Sequence, residues 1–268
     1  MSKPKMPAVA DYVTSRIVRR IRSLDSRHQF VDLDESAQDI IRTVDPYTLT
    51  SGDRVAALCT SVDYIVDHGI PGAFVECGVW RGGSLMAILL RLCQRGVTDR
   101  DVFGYDVWQG MGPSGFPYQP TDDDVLFNGA TVKSSMNPGR IGKALYEQIV
   151  PRVTHFKPSR DDVFALLTST GYPPERIHLV AGPVEDTIPA NAPETIALLR
   201  LDTDLYESTR HELEHLYPRV PVGGVLVIDD YGYWKGARKA VDDYFDGHRI
   251  LLHRDGPSVR FAIKQQER

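Results

Sequence analysis

The chain has few cysteines, no long apolar run and no excess of basic charge. Each absence removes a class. The three cysteines, Cys59, Cys77 and Cys93, match no zinc spacing. An odd count, behind a start (MSKPKMPAVADYV) without an apolar leader, reads as reduced thiols in the cytoplasm. The longest purely apolar stretches, such as 86–90 and 225–228, fall far short of the ~20 residues that span a bilayer, so no membrane partner is expected. Lys+Arg total 31 against 36 Asp+Glu, a net charge of −5, which disfavours a nucleic-acid partner. What remains is an ordinary globular mix, 42% hydrophobic and 25% charged. At ~150 residues per domain, the length fits one large domain or two small ones.

The first forty residues stand apart. Val9, Tyr12, Val13, Ile17, Val18, Ile21 and Leu24 recur at helical steps, with Arg16, Arg19, Arg20 and Arg22 largely between them. This pattern predicts an amphipathic helix that packs on the core or on a second subunit. A second helix is expected over 53–68, ended by Gly69 and Pro71-Gly72. From residue 73, short apolar runs at 73–77, 102–107, 177–181, 195–201 and 224–228 alternate with helical patterns at 83–94, 161–170, 205–216 and 235–245. Continuous apolar strands separated by helices predict an α/β fold, a mostly parallel sheet covered on both faces. Residues 250–253 and 259–264 around Asp255-Gly256-Pro257 predict a closing antiparallel hairpin. The organisation expected is an N-terminal helical accessory segment at 1–70 and a main domain at 71–268, with a lid insertion at about 109–155, rich in Gly, Pro, Asp and aromatics.

The first strand runs into Glu76-Cys77-Gly78-Val79-Trp80-Arg81-Gly82-Gly83-Ser84, a glycine-rich turn that opens a helix. Such a turn lets the backbone approach a ligand, and the helix N-terminus favours negative charge. Its glycines do not fit G-x-G-x-x-G and no Gly-Lys-Ser/Thr follows, so neither a pyrophosphate fingerprint nor a phosphate loop is present there. Asp106 ends the second strand, about 20 positions beyond the turn, where an acid accepts hydrogen bonds from ribose hydroxyls. Turn and acid together point to an adenosine-bearing ligand without a pyrophosphate. S-adenosyl-L-methionine fits, its carboxylate at the turn and Ser84, with Glu76 one candidate for its ammonium. The alternative reading of the turn is tight packing that needs glycine.

Two acidic clusters end later strands: Leu201-Asp202-Thr203-Asp204-Leu205 and Ile228-Asp229-Asp230-Tyr231. Parallel strand ends converge on one edge, where carboxylates repel one another unless a cation lies between them. Hard oxygen donors without His or Cys indicate Mg²⁺, or Mn²⁺ in its place. Helix capping would account for one of these aspartates, Asp204 before the helix near Leu205. Tyr231 and Trp234, just beyond the second cluster, are candidate contacts for an acceptor. Asp122-Asp123-Asp124 reads as a solvated loop, since nothing places it at a strand end.

These residues resemble the macrocin O-methyltransferase (TylF/MycF) type, S-adenosylmethionine- and Mg²⁺-dependent enzymes that methylate sugar hydroxyls of natural products in antibiotic biosynthesis. The likeness runs from about Asp53 to Phe261. Besides the 76–84 turn and the two acidic clusters, it is carried by Gly104-Tyr105-Asp106-Val107-Trp108-Gln109-Gly110, Gly171-Tyr172-Pro173, Glu185-Asp186-Thr187-Ile188-Pro189 and Gly223-Gly224-Val225. The resemblance implies a class I methyltransferase (Rossmann-like) sheet. It implies Asp202, Asp229 and Asp230 as metal ligands and Asp204 as general base. It places the cofactor against residues 76–84, Asp106 and Asp202, with Gly182 and Val184 near the adenine. It implies a small glycosylated acceptor and a homo-oligomer, dimer or tetramer, to which residues 8–24 are expected to contribute. The turn is also similar to that of catechol-type O-methyltransferases, which makes a phenolic acceptor the first alternative. Asp202-Thr203-Asp204 also spells the D-x-D of metal-dependent glycosyltransferases, opposed here by the early turn and the second acidic pair. A nicotinamide oxidoreductase is opposed by the missing fingerprint at the first turn. A catalytically dead module is opposed by the intact aspartates.

Overall fold

Each of the short apolar runs forms a strand because it can be buried on both sides, and each helical pattern supplies a cover for one side. The computed structural model describes residue 30 and residues 32–108, 158–247 and 250–266. In chain order the elements are α1 (Glu35–Val44), α2 (Gly52–Asp67), β1 (Ala73–Cys77), α3 (Gly83–Gln94), β2 (Val102–Asp106), α4 (Arg160–Thr168), β3 (Ile177–Ala181), the single turn α5 (Val184–Thr187), β4 (Ile196–Leu201), α6 (Tyr206–Leu216), β5 (Val225–Ile228), α7 (Lys235–Tyr244), β6 (His253–Asp255) and β7 (Val259–Ile263). They build a seven-stranded sheet in the order β3-β2-β1-β4-β5-β7-β6. The first five strands are parallel; β7 runs antiparallel to β5 and forms a hairpin with β6.

Period-two alternation divides the core into two layers. Phe74, Leu198, Val225 and Val227 face α1–α3, packing with Leu58, Val62, Leu85 and Leu89. Val75, Cys77, Leu199, Leu201, Leu226 and Ile228 face the other way, against Leu213, Leu216 and Val241 of α6 and α7. The sheet order reverses direction between β1 and β4. In open α/β sheets that is where ligands bind, outside the carboxyl ends of the strands.

The expected α/β fold and its closing hairpin are present. The hairpin's first arm starts at His253 rather than residue 250, because Asp255 pairs with Val259 and only three residues of β6 reach the ladder. Two helices were not expected. α1 begins where Asp34 accepts a 2.7 Å hydrogen bond from the Ala37 N–H, and α5 is a single turn. The amphipathic stripe of residues 9–24 and the 109–155 insertion lie outside the described residues. No helix among the described residues is long and apolar enough to cross a membrane.

Candidate active site

Strand register decides which side chains meet. Glu76 of β1 lies opposite Arg200 of β4, and Arg200 opposite Val227 of β5. The ladder continues one residue past the strands: Asp202 N donates to Cys77 O at 2.9 Å, Asp229 N to Leu201 O at 2.9 Å, and Gly78 N to Tyr105 O at 2.8 Å. Asp202 and Asp229 therefore stand side by side at the carboxyl edge. Alternation puts Glu76, Arg200, Asp202 and Asp229 on one face.

Arg200 joins them. Its guanidinium, only 2% exposed, pairs through Nη1 with Glu76 Oε1 and with Asp202 Oδ2 at 2.8 Å. Nη2 pairs with Asp229 Oδ1 at 3.0 Å and donates to Thr50 Oγ1 at 3.3 Å. A second arginine comes from α2: Arg54 Nη1 lies 3.5 Å from Asp229 Oδ2, while Nη2 donates to Ser258 Oγ. Neither arginine was expected at the site. The available signal was Arg200 as a lone charge inside the apolar run of β4, since a charge in a central strand must find a partner.

Asp230 follows at the bend after β5, and its Oδ2 accepts the Asp204 N–H at 3.2 Å. One carboxylate oxygen each from Asp202, Asp229 and Asp230 lies within 4.8 Å of the others. Three hard oxygen donors without His or Cys fit a divalent cation of the Mg²⁺ or Mn²⁺ kind. Burial pushes the Glu76 carboxyl up to about 7, against the pull of Arg200. Glu76 Oε2 is buried and accepts no hydrogen bond among the described residues. Glu212 of α6, which the sequence did not flag, lies fully buried with Oε2 accepting from Thr203 Oγ1 at 3.2 Å, and burial raises its pKa well above the usual carboxylate range.

The strand exits are strained. Trp80, Trp108 and Asp204, after β1, β2 and β4, have φ of +49°, +44° and +69°. Such backbone clusters at functional sites because the surroundings must hold it in place. Asp106 does this for both tryptophans, its Oδ2 accepting the Trp80 N–H and its Oδ1 the Trp108 N–H, each at 2.7 Å. Burial raises the Asp106 pKa and these N–H groups pull it back down. α6 takes Leu205 as its N-cap residue, so Asp204 stands one position before the cap.

The glycines of the turn serve different needs. Gly78 has φ +85°, and a Cβ there would lie 2.0 Å from Asp202 O. At Gly83 a Cβ would meet Thr48 Cβ and Tyr47 O at 2.6 Å, so this glycine admits the chain's own segment before α2. Cys77, Val79 and Ser84 are buried, Gly82 caps α3 in the left-handed conformation, and Arg81 lies over the rings of Tyr47 and Trp80, 5.6 Å from each centroid. Gly182 N donates to Asp106 O at 3.0 Å and Val184 is buried at the start of α5. Tyr231 donates its hydroxyl to Asp242 Oδ1 at 2.7 Å, with Arg260 and Arg238 at 4.8 and 5.3 Å from its ring. Trp234 is buried at the N-cap of α7.

A mostly parallel sheet closed by an antiparallel hairpin, with its acidic site at the switch point, defines a class I methyltransferase. The O-methyltransferase NovP shares the fold with a TM-score of 0.63 at 27% identity, over 82% of this chain and 83% of that one. The macrocin-O-methyltransferase (TylF) family matches residues 7–135 and 150–254, and the chain belongs to that family. The demethyldecarbamoylnovobiocin O-methyltransferase of Streptomyces niveus is 31% identical over 215 residues, 78% of this chain and 74% of that protein. The 8-demethyl-8-(2,3-dimethoxy-alpha-L-rhamnosyl)-tetracenomycin-C 4'-O-methyltransferase of Streptomyces olivaceus is 31% identical over 198 residues, 74% of this chain and 67% of that protein.

Proposed function

We propose that this O-methyltransferase moves a methyl group from S-adenosyl-L-methionine to a sugar hydroxyl of a glycosylated natural product, with Mg²⁺ held by Asp202, Asp229 and Asp230. The observation that carries the reading is the convergence of these three carboxylates at the switch point. The rhamnosyl group in the name of the Streptomyces olivaceus relative supports a sugar acceptor.

Transfer from sulfonium to oxygen is an in-line displacement, and a sugar hydroxyl is a poor nucleophile until its proton begins to leave. Mg²⁺, when bound, would acidify and orient that hydroxyl. Asp204 would accept the proton, a role that contributes ~10²–10⁴-fold in rate. The 76–84 turn and Asp106 would hold the cofactor, with Glu76 Oε2 a buried acceptor for its ammonium. Gly182 and Val184 would lie by the adenine. Tyr231 and Trp234 would border the acceptor. Holding the oxygen against the methyl would supply much of the remaining rate. Three free thiols support a reducing, cytoplasmic setting. Light scattering tests the homo-oligomer that the 8–24 stripe suggests; a monomer at working concentration rules it out.

The deciding experiment offers labelled S-adenosylmethionine and Mg²⁺ with a panel of glycosylated and phenolic acceptors and identifies the labelled product. A labelled sugar is expected. A phenol as sole acceptor moves the reading to the catechol type. Chelator should abolish turnover and Mg²⁺ restore it; full activity after exhaustive EDTA treatment removes the metal from the mechanism.

A further inference from the structure

We propose that Arg200 is a positioning residue that sets the selectivity of the metal site, favouring Mg²⁺ over Ca²⁺ by holding Asp202 and Asp229 to one-oxygen ligation. The inference rests on the metal reading above and deepens it. Arg200 grips Asp202 through Oδ2 at 2.8 Å and Asp229 through Oδ1 at 3.0 Å, from a guanidinium that is itself buried and braced by Glu76 and Thr50. Arg54 approaches the other oxygen of Asp229 at 3.5 Å.

A carboxylate that chelates an ion must turn both oxygens to it. An oxygen pinned by a charge-assisted hydrogen bond resists that rotation. Ca²⁺ takes six to eight oxygens at roughly 2.3–2.6 Å and gains from chelating carboxylates, whereas Mg²⁺ wants about six single oxygens at ~2.0–2.1 Å. Two carboxylates held to one oxygen apiece suit the smaller ion. The forked, permanently charged guanidinium can hold two carboxylates and Glu76 at once; an ammonium on a flexible stem cannot fix the same geometry. Partners one step behind metal ligands typically change affinity by about 10–100-fold when removed.

The test uses the full chain and the metals alone, by calorimetry with MgCl₂, MnCl₂ and CaCl₂ on wild type and Arg200→Lys, with circular dichroism and thermal melts on both. Wild type should bind Mg²⁺ and Mn²⁺ more tightly than Ca²⁺. Arg200→Lys should lose about 10–100-fold in Mg²⁺ affinity while Ca²⁺ affinity falls less, so that the preference narrows. A variant that merely loosens the fold would weaken all three ions alike, and that result overturns the selectivity role. Unchanged affinities overturn it too. Preference of the wild type for Ca²⁺ overturns it without recourse to the variant. A wild type that binds no divalent ion overturns the metal reading itself, a distinct outcome.

Discussion

Gly78 and Asp202 touch backbone to backbone across β1 and β4, so closely that a Cβ on Gly78 would sit 2.0 Å from the Asp202 carbonyl oxygen. The turn and the first acidic cluster are therefore one construction. Gly78→Ala adds a side chain at φ +85° and pushes a proposed ligand out of register. We expect a loss of roughly 2–5 kcal/mol in stability, from strain and overpacking together. Mg²⁺ affinity should fall with it. Urea denaturation and calorimetry check this; an alanine variant with native stability would show that the strands can separate at no cost.

Asp204→Asn tests the proposed proton acceptor. Asparagine tolerates the left-handed conformation that Asp204 adopts, so the exit from β4 should keep its shape. The substitution removes basicity and little else. kcat should fall by ~10²-fold or more, with cofactor and Mg²⁺ affinities nearly intact. Loss of Mg²⁺ in step with activity would make Asp204 a ligand instead. Retention of most of kcat would mean that no side-chain base is needed there.

One variant can separate the bracing role of Asp106 from its proposed role at the cofactor. Asp106 braces Trp80 and Trp108, and we propose that it also receives the ribose. Asp106→Asn keeps one acceptor oxygen and turns an NH₂ group towards a main-chain N–H, which should cost about 1–3 kcal/mol. S-adenosylmethionine affinity should fall by ~10-fold or more, about 1.4 kcal/mol. A lower melting temperature with unchanged cofactor affinity would confine Asp106 to its bracing role.

Glu76 should leave a signature in stability against pH. Its ordinary value is 4.5 and burial raises it to about 7 in the folded chain. Between those values the folded state holds the extra proton, so stability falls as pH rises from 4.5 towards 7 and levels off above. Glu76→Gln removes this loss. The advantage of the variant over wild type should therefore grow across that window, by on the order of 3 kcal/mol at ~1.4 kcal/mol per pH unit. Denaturation curves at pH 5, 6, 7 and 8 in chelator test it. A difference that stays constant with pH would show that Glu76 is ionised throughout.

The strands were legible because each is a short apolar run bounded by turn residues. The aspartates were legible because they fall where those runs stop. The partners of the aspartates were not. Arg200 finds Glu76 at a distance of 124 residues and Arg54 finds Ser258 at 204, and no local pattern encodes such pairs. Register supplies them: once Glu76 lies opposite Arg200, the ion pair follows. α1 went unseen for a different reason. Its apolar face of Ala37, Ile40 and Val44 is narrow, and its start depends on one Asp34 cap. The role of Gly83 was half legible. Tight packing that needs glycine was the alternative reading of the turn, and the neighbours that require it at Gly83 (Tyr47 and Thr48) come from the segment before α2.

The left-handed exits at Trp80 and Trp108 also bear on how this enzyme can be improved in the laboratory. Each non-glycine residue held at positive φ costs of order 1–3 kcal/mol. Trp80→Gly or Trp108→Gly would release that cost, but each gives up a large aromatic side chain, Trp108 from against the core layer on the α1–α3 face. Such a loss costs about 3–5 kcal/mol where the ring is fully buried, and a glycine has more freedom to lose on folding. The same changes would slacken the two turns that Asp106 ties together. Libraries aimed at heat resistance should therefore leave both positions alone and draw their gains from sites away from the strand exits.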